Sequence, residues 1–359
     1  MNIQSILGTA QSILEFVLAL GVLIFLHELG HFLVARLCKV DVEEFGIGFP
    51  PRAITLFERG GTKYSLNWLP FGGFVRLKGE ADPTVPGSVM NASPWKRIAI
   101  TAAGPFMNLA TAVILYAVIF QLIGVPVTNK VMIRDVNANS PAEQAGIQPG
   151  DLILQVNDVL IDSQQKLSEA ISAHVGETIT LVYEREGQPT TVSLVPRKNP
   201  PVGEGAMGIL MTNPTTPISF LNALPKGLSA TVDHCRALLT FVGQAIRGAI
   251  PADQGRLVGF KGMYDMYAQA RSEPIAGLPT IINVLGFFTS ITVSLGLLNL
   301  LPIPALDGGR IMFVLPELVL RKRIPPEYEV WVNAISLGLL ILLLVYVNLQ
   351  DFINPITLP

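Results

Sequence analysis

The chain has 359 residues, of which 50% are hydrophobic and only 14% are charged, and its formal net charge is −2. This charged fraction lies well below the roughly 25% of a typical soluble domain, and the near-neutral balance gives no electrostatic reason to expect a nucleic-acid partner. The two cysteines, Cys38 and Cys235, form no CxxC pair, so a disulfide framework is not indicated.

Apolar stretches dominate the sequence and predict contact with a lipid bilayer. Four of them approach or exceed the roughly 20 helical residues that cross a membrane, and they cover residues 6–37, 98–123, 279–301 and 331–347. No Lys or Arg precedes the first stretch, which continues directly into a polar motif, so we expect a retained helix and not a cleaved signal peptide. The sequence therefore predicts a polytopic α-helical membrane protein with about four transmembrane helices.

The remaining segments take their places between these spans. In chain order, we predict a first transmembrane helix at 1–37, a membrane-associated β region at 38–97, a second transmembrane helix at 98–124, a soluble domain at 125–212, interfacial helices at 213–278, a third transmembrane helix with a broken end at 279–310, a connector at 311–330 and a fourth transmembrane helix at 331–350.

Orientation follows from the placement of basic residues. Lys and Arg occur throughout 36–97 and 302–330, whereas neither terminus carries any. Because short cytoplasmic connectors are enriched in Lys and Arg, we expect both segments on the cytoplasmic side of an inner or plasma membrane. Four spans then place residues 124–278 on the outer side.

One stretch leaves an alternative open. Residues 219–250 are fairly apolar, and a fifth span there would reverse the orientation of everything that follows. The same stretch contains several ionisable residues, namely Lys226, Asp233, His234, Arg236 and Arg247. These residues favour helices that lie on the outer membrane surface.

A polar motif, FLHELGHF, occupies residues 25–32 at the end of the first apolar stretch. His27 and His31 are four residues apart and lie on one face of a helix, so they can bind one metal ion, and Glu28 can accept a proton from an activated water. HExxH also arises by chance in soluble proteins. Polar and ionisable groups are costly inside a membrane, however, and they usually mark a functional site there, which favours a metal site.

A catalytic zinc usually takes three protein ligands, and several residues could be the third. His174 and His234 are most simply structural histidines. Asp307 lies in NLLPIPALDGG, residues 299–309, where two prolines interrupt the apolar stretch, and the predicted topology places it on the same side of the membrane as His27 and His31. The alternative is that Asp307 only caps a helix.

Three motifs together resemble the site-2 protease family of intramembrane zinc metalloproteases. They are HELGH at 27–31, AAGPFMN at 102–108 and NLLPIPALDGG at 299–309. The similarity covers nearly the whole chain and is greatest to the bacterial RseP/RasP-type branch, which cleaves anti-sigma factors. The resemblance implies an enzyme that binds Zn²⁺ and cuts the membrane-spanning segments of single-span proteins, such as anti-sigma factors or signal-peptide remnants.

The resemblance also implies residue roles. His27, His31 and Asp307 correspond to the zinc ligands, and Glu28 corresponds to the catalytic base. Asn299 corresponds to an asparagine near the family's active site, which suggests that it positions substrate or stabilises an oxyanion. A water-filled cavity among the spans would supply the water that lipid excludes.

The predicted β region contains FGIGFPP and YSLNWLPFGGFVRLKGE within residues 42–79. Apolar residues that alternate with glycines and turn formers predict short strands and hairpins. An unwound substrate needs partners for its backbone groups, and an exposed strand at Phe74 and Val75 could supply them by strand addition. The alternative is an ordinary cytoplasmic hairpin.

Residues 126–212 predict a compact soluble module with a helix capped by Ser140 and ended by Gly146. The order of its elements resembles a circularly permuted bacterial PDZ domain. A peptide groove would then lie between two elements. One is a strand that begins at Gly208 and Ile209, and the other is a helix. This helix carries Leu167, Ala170 and Ile171. The alternative is a steric cap without a ligand.

Two other classes of function compete with the protease. A membrane metal-binding or transport protein could use the same three ligands, but transport does not need Glu28 beside the first of them. A PDZ-bearing scaffold with an inactive site is disfavoured by the intact HELGH and LDG motifs.

Overall fold

The computed structural model describes residues 3–79, 85–201, 203–250, 256–272 and 279–355. The chain divides into two compact units. One contains Met1–Ile119 together with Phe220–Pro359, and the other contains Phe120–Ser219.

The helices are long in the first unit and short in the second. They are α1 (Ile3–Leu37), α2 (Pro94–Ile123), α3 (Pro141–Gln144), α4 (Gln164–Ser172), α5 (Phe220–Ile246), α6 (Phe260–Ser272), α7 (Thr280–Leu300), α8 (Asp307–Leu320) and α9 (Pro326–Ile353). The strands are β1 (Val42–Arg59), β2 (Thr62–Leu77), β3 (Val125–Pro126), β4 (Val131–Val136), β5 (Leu152–Val156), β6 (Val159–Leu160), β7 (Ile179–Arg185), β8 (Gln188–Leu194), β9 (Ile209–Thr212) and β10 (Thr215–Thr216).

Among the described residues, four helices are long and apolar enough to cross a membrane, which confirms the predicted number of spans. These segments are Ile6–Leu37, Pro94–Ile123, Thr280–Leu300 and Glu327–Ile353. The last helix begins at Pro326, earlier than the predicted start at 331, because proline fits the first turn, where its missing N–H is not needed. The third ends at Leu300, and α8 occupies much of the predicted connector.

Helix α5, the stretch that could have been a fifth span, is not among these candidates. One face of α5 packs on α2: a Cβ on Gly227 would contact the carbonyl oxygen of Val113, and Tyr116 and His234 are hydrogen-bonded at 2.8 Å. Much of the rest of α5 exposes apolar side chains, including Leu221 and Ile246. The helix is therefore amphipathic, as a helix at a membrane surface should be.

The β region forms two long irregular strands instead of the predicted short strands and hairpins. The start of β1 has neighbours on two sides, since Phe45 pairs with both Val75 and Tyr64. Glu44 is buried there and accepts hydrogen bonds from Arg52 at 2.8 Å and Ser65 at 2.7 Å. Burial opposes ionisation of Glu44, but these hydrogen bonds and the nearby arginine charges outweigh it and lower its pKa.

This sheet packs directly on α1 through glycines of β2. A Cβ on Gly72 would lie 2.5 Å from Ile24, and one on Gly73 would lie 3.1 Å from the ring of Phe25. Other side chains of the two strands expose large apolar surfaces, including Trp68 at 71%. The sheet is thus held beside the HELGH segment and presents an apolar face suited to a membrane.

Helix α6 contacts both the first part of α1 and the end of α9. The fully buried carboxylate of Asp351 accepts hydrogen bonds from the backbone N–H groups of Gly259 at 2.8 Å and Gly262 at 3.0 Å and pairs with Arg256. At the other end of α6, Arg271 pairs with Glu15 of α1 at 2.6 Å. These polar contacts fix α6 against two of the membrane helices.

The second unit contains the compact module that the sequence predicts to be a PDZ domain. Its sheet has the strand order β8-β7-β5-β4-β9, with β6 paired to β5. Ser140 caps α3 by accepting the N–H of Glu143, and Gly146 has φ +75°, as the sequence predicted. Leu167, Ala170 and Ile171 of α4 lie in the hydrophobic core of this unit.

Candidate metal centre

His27 and His31 lie on the same face of α1, one turn apart, and their rings converge. The two Nε2 atoms are 3.2 Å apart. Asp307 approaches them from the start of α8, with its Oδ2 3.1 Å from Nε2 of His27 and 3.5 Å from Nε2 of His31. The three predicted ligands therefore form a cluster, with all ligand atoms within 4.8 Å of one another.

The loop before α8 places Asp307 at this position. Its backbone is held by α9, since Ala305 donates its N–H to Asn333 at 3.0 Å and Ser336 donates to the carbonyl of Pro304 at 2.6 Å. The next residue, Gly308, lies so close to the end of α7 that a Cβ there would contact the carbonyl oxygens of Leu300 and Leu301. Glycine after Asp307 is thus required for the tight return of the chain.

Helix α2 forms the wall behind the two histidines. Nδ1 of His31 lies 2.7 Å from the carbonyl oxygen of Ile100, and Nδ1 of His27 lies 3.2 Å from the side-chain amide of Asn108. Ile100, Gly104 and Asn108 are spaced four residues apart and share one helix face. Each histidine is therefore held on its Nδ1 side by α2 and presents Nε2 to Asp307.

The residues of the cluster fit a zinc ion. Two histidine nitrogens and one carboxylate are the ligand types of catalytic zinc sites, and bonds of about 2.0–2.1 Å in a tetrahedron imply ligand atoms about 3.3 Å apart. The separations of 3.1–3.5 Å agree with this value. A Cβ on Gly104 would contact Nε2 of His31 and lie 2.7 Å from Nε2 of His27, so glycine keeps this space free.

Glu28 stands beside the cluster and contacts the β region. Its Oε2 accepts a hydrogen bond of 3.2 Å from the backbone N–H of Val75. The stretch Phe74–Leu77 pairs with β1 on one side, and no other described strand pairs with it. The free edge of β2 consequently faces the carboxylate adjacent to the metal cluster.

The other predicted site residues are placed as follows. Asn299 lies in the last turn of α7, and no hydrogen bond joins it to the cluster in the described parts of the chain. His174 and His234 are hydrogen-bonded to Ala170 and Tyr116, outside the cluster.

Two of the predicted substrate-binding residues belong to the PDZ domain. Gly208 immediately precedes β9, an edge strand of the domain's sheet, and Ile209 is the first residue of that strand.

Sequence reasoning missed the contributions of Ile100, Gly104 and Asn108. The motif AAGPFMN was noted only as a point of similarity. Gly104 and Asn108 are one helical turn apart on a predicted transmembrane helix, and this spacing could have identified them. A glycine and a buried amide on the same face indicate close packing against a polar group.

Comparison with known proteins identifies the family. The model of "Peptidase family M50" matches residues 15–343. The chain is 31% identical over 344 residues to "Putative zinc metalloprotease CA_C1796" of Clostridium acetobutylicum, covering 95% of this chain and 97% of that protein. It is 26% identical to "Regulator of sigma-W protease RasP" of Bacillus subtilis, covering 95% and 98% of the two chains.

Among solved structures, the PDZ domain of the SdrC-like protein of Listeria monocytogenes matches with 24% identity and a TM-score of 0.22, covering 24% of this chain and 94% of that one. The family match and the relatives' names agree with the four spans and with a cluster that fits zinc. The chain is thus a multi-pass membrane zinc metalloprotease of the site-2 type, and it belongs to peptidase family M50.

Proposed function

We propose that His27, His31 and Asp307 hold the catalytic zinc and that Glu28 is the general base. The observation that carries this proposal is the convergence of three ligand atoms, two of which border the space that Gly104 leaves free, with Glu28 next to His27 in sequence. A zinc ion held by these residues would supply Lewis acidity, which in catalytic sites brings the pKa of water to about 7.

The chain's own residues carry the proton transfers. Glu28 accepts a proton from the attacking water and returns it to the amine that leaves when the peptide bond breaks. Asn299 is proposed to position the scissile peptide or to stabilise the developing oxyanion. Its support is the contact between the end of α7 and Gly308, which follows Asp307 directly.

The substrate is proposed to be the transmembrane segment of a single-span protein. A helical segment hides its peptide bonds and must unwind before cleavage, and the free edge of β2 at Phe74 and Val75 offers hydrogen-bonding partners beside Glu28. The similarity to a regulator of sigma-W in B. subtilis supports regulatory membrane proteins, such as anti-sigma factors, as substrates. Signal-peptide remnants are also single membrane-spanning segments, and they are proposed as substrates for the same reason.

The proposed orientation follows from the basic residues. Lys and Arg in 36–97 and 302–330 favour a cytoplasmic position for the β region and the metal cluster. The PDZ domain is then extracytoplasmic, and a peptide could add as a strand at Gly208 and Ile209 on the edge strand β9.

Metal analysis of purified variants tests the proposed ligands. Wild-type protein in detergent should contain about one zinc per chain, because a catalytic zinc takes three protein ligands. His27→Ala and His31→Ala should lose it, and Asp307→Asn should bind it more weakly because a neutral amide replaces the carboxylate. His234→Ala is the matched control and should keep the metal. Full zinc retention in Asp307→Asn would remove this residue from the ligand set.

Val75→Pro tests strand addition. Proline removes the N–H that faces Glu28, while the N–H groups that alternate with it along β2 face β1. One lost hydrogen bond, of about 0.5–1.5 kcal/mol, corresponds to cleavage of stable helical substrates that is about 2- to 10-fold slower. Substrates with Gly or Pro near the cut should be less affected, and Val75→Ala, which keeps the N–H, should behave as wild type. Equal loss for both substrate classes would point instead to misfolding or to the lost hydrogen bond on Glu28.

A further inference from the structure

Asn108 is a buried polar residue that contacts the metal cluster without belonging to it. It is 1% exposed, and its side-chain Nδ2 lies 3.2 Å from Nδ1 of His27. The backbone carbonyl oxygen of Asn108 accepts a hydrogen bond of 3.2 Å from the hydroxyl of Thr292 on α7, which fixes the backbone of α2 at this point. The amide is therefore held at a defined place beside the imidazole.

The side-chain oxygen of Asn108 is buried and has no hydrogen-bond partner among the described residues. An unpartnered buried acceptor costs about 1–3 kcal/mol, so its presence beside a functional histidine calls for an explanation. The two ends of an amide have nearly the same shape, and hydrogen bonding decides which end faces a neighbour.

Two arrangements of this contact are self-consistent. In one, Nε2–H of His27 donates to Asp307, which lies 3.1 Å away, and Nδ1 accepts a hydrogen bond from the Asn108 amide. In the other, Nε2 offers its lone pair to a metal ion, so the proton lies on Nδ1 and needs an acceptor. The amide must then turn its oxygen towards His27.

His31 shows what the second arrangement requires. Its Nδ1 lies 2.7 Å from the carbonyl oxygen of Ile100, a group that can only accept. Nδ1 of His31 is therefore the donor, and Nε2 is free to ligate. Among the described residues, no carbonyl oxygen is hydrogen-bonded to Nδ1 of His27. The Asn108 side chain, two turns along the same face of α2, occupies the equivalent position.

We propose that Asn108 is a positioning residue whose side-chain oxygen accepts the Nδ1–H of His27 and so fixes the tautomer in which Nε2 binds zinc. Asn108 touches neither substrate nor metal. Turning the amide moves the NH₂ group to the position that the oxygen now occupies, and the proposed role depends on the oxygen alone. The inference rests on the proposed ligand role of His27.

The test measures zinc affinity of the full-length protein in detergent, by zinc content at a series of buffered zinc concentrations. Asn108→Leu has nearly the same volume but no acceptor, and the apparent zinc dissociation constant should rise about 10- to 100-fold, as for other outer-shell partners. Asn108→Asp keeps an acceptor and has no donor, so its dissociation constant should stay within about 3-fold of wild type or fall.

Two controls make the outcome specific. Thr289→Val removes a buried hydroxyl of α7 that donates to the carbonyl oxygen of Leu285 in the same helix, and it should leave zinc affinity unchanged. His27→Ala tests the proposed ligand itself. If His27→Ala loses zinc while Asn108→Leu binds it as wild type does, the positioning role is wrong and the metal site stands.

A different pattern overturns the tautomer assignment. If Asn108→Asp, monodisperse by size exclusion, binds zinc as weakly as Asn108→Leu, then the NH₂ group and not the oxygen supports the site. If His27→Ala keeps its zinc, the proposed ligand set fails, and the role of Asn108 fails with it.

Discussion

Glu28→Gln is expected to abolish cleavage while the protein keeps its zinc and its fold. Glutamine preserves the size of the side chain and can still face the N–H of Val75 through its amide oxygen, so the local packing should persist. It cannot accept the proton of the attacking water, and loss of a general base typically costs about 10²- to 10⁴-fold in rate. The measurement is cleavage of a model single-span substrate in detergent, with and without a chelator.

The control for this result is zinc content in the same preparation. Glu28→Gln should match wild type in zinc per chain, since the three clustered ligand residues are unchanged. Turnover by the variant within about 10-fold of wild type would contradict the assignment of Glu28 as the base, because a positioned base is worth more than that.

Gly104→Ala should remove zinc binding although Gly104 is not a ligand. The added Cβ would contact Nε2 of His31 and lie 2.7 Å from Nε2 of His27, so it would occupy the space between the metal-binding nitrogens. Because α2 is fixed close to α1, where a Cβ on Gly30 would meet the carbonyl oxygen of Ala103, the helix cannot retreat easily. The loss should exceed the 10- to 100-fold typical of outer-shell substitutions.

Gly286→Ala is the matched control, since it makes the same change in a membrane helix where nothing lies within 4 Å of the added Cβ. It should retain zinc and activity, because alanine favours the helix over glycine by about 1 kcal/mol. Normal zinc affinity in Gly104→Ala would show that the metal lies elsewhere than between the two histidines and Asp307.

Local patterns in the sequence were sufficient for much of the site. The i, i+4 spacing of His27 and His31 and the charge-based topology brought Asp307 to the same side of the membrane, and the structure places all three together. Spacing and topology suffice here because an α-helix fixes which residues share a face and the bilayer fixes the length of each span.

Other features depended on packing that no local pattern encodes. The periodicity of α4 identified a helix, but whether Leu167 faced the PDZ core or a groove depended on its neighbours. The start of β1 has neighbours on two sides. The glycines and prolines of this region indicated turns, so the sequence did not predict two long strands. Asn108 acts through a single contact to a residue 81 positions away, which only the folded chain reveals.

The ligands of the metal cluster come from opposite ends of the chain, two from α1 and one from the start of α8. During synthesis, His27 and His31 enter the membrane long before Asp307 leaves the ribosome. The complete ligand set therefore exists only after the later helices have been inserted. A partly made chain, or one truncated before Asp307, would carry the proposed base and two of the proposed ligands but not the third. On this proposal, assembly of the active site accompanies completion of the membrane domain.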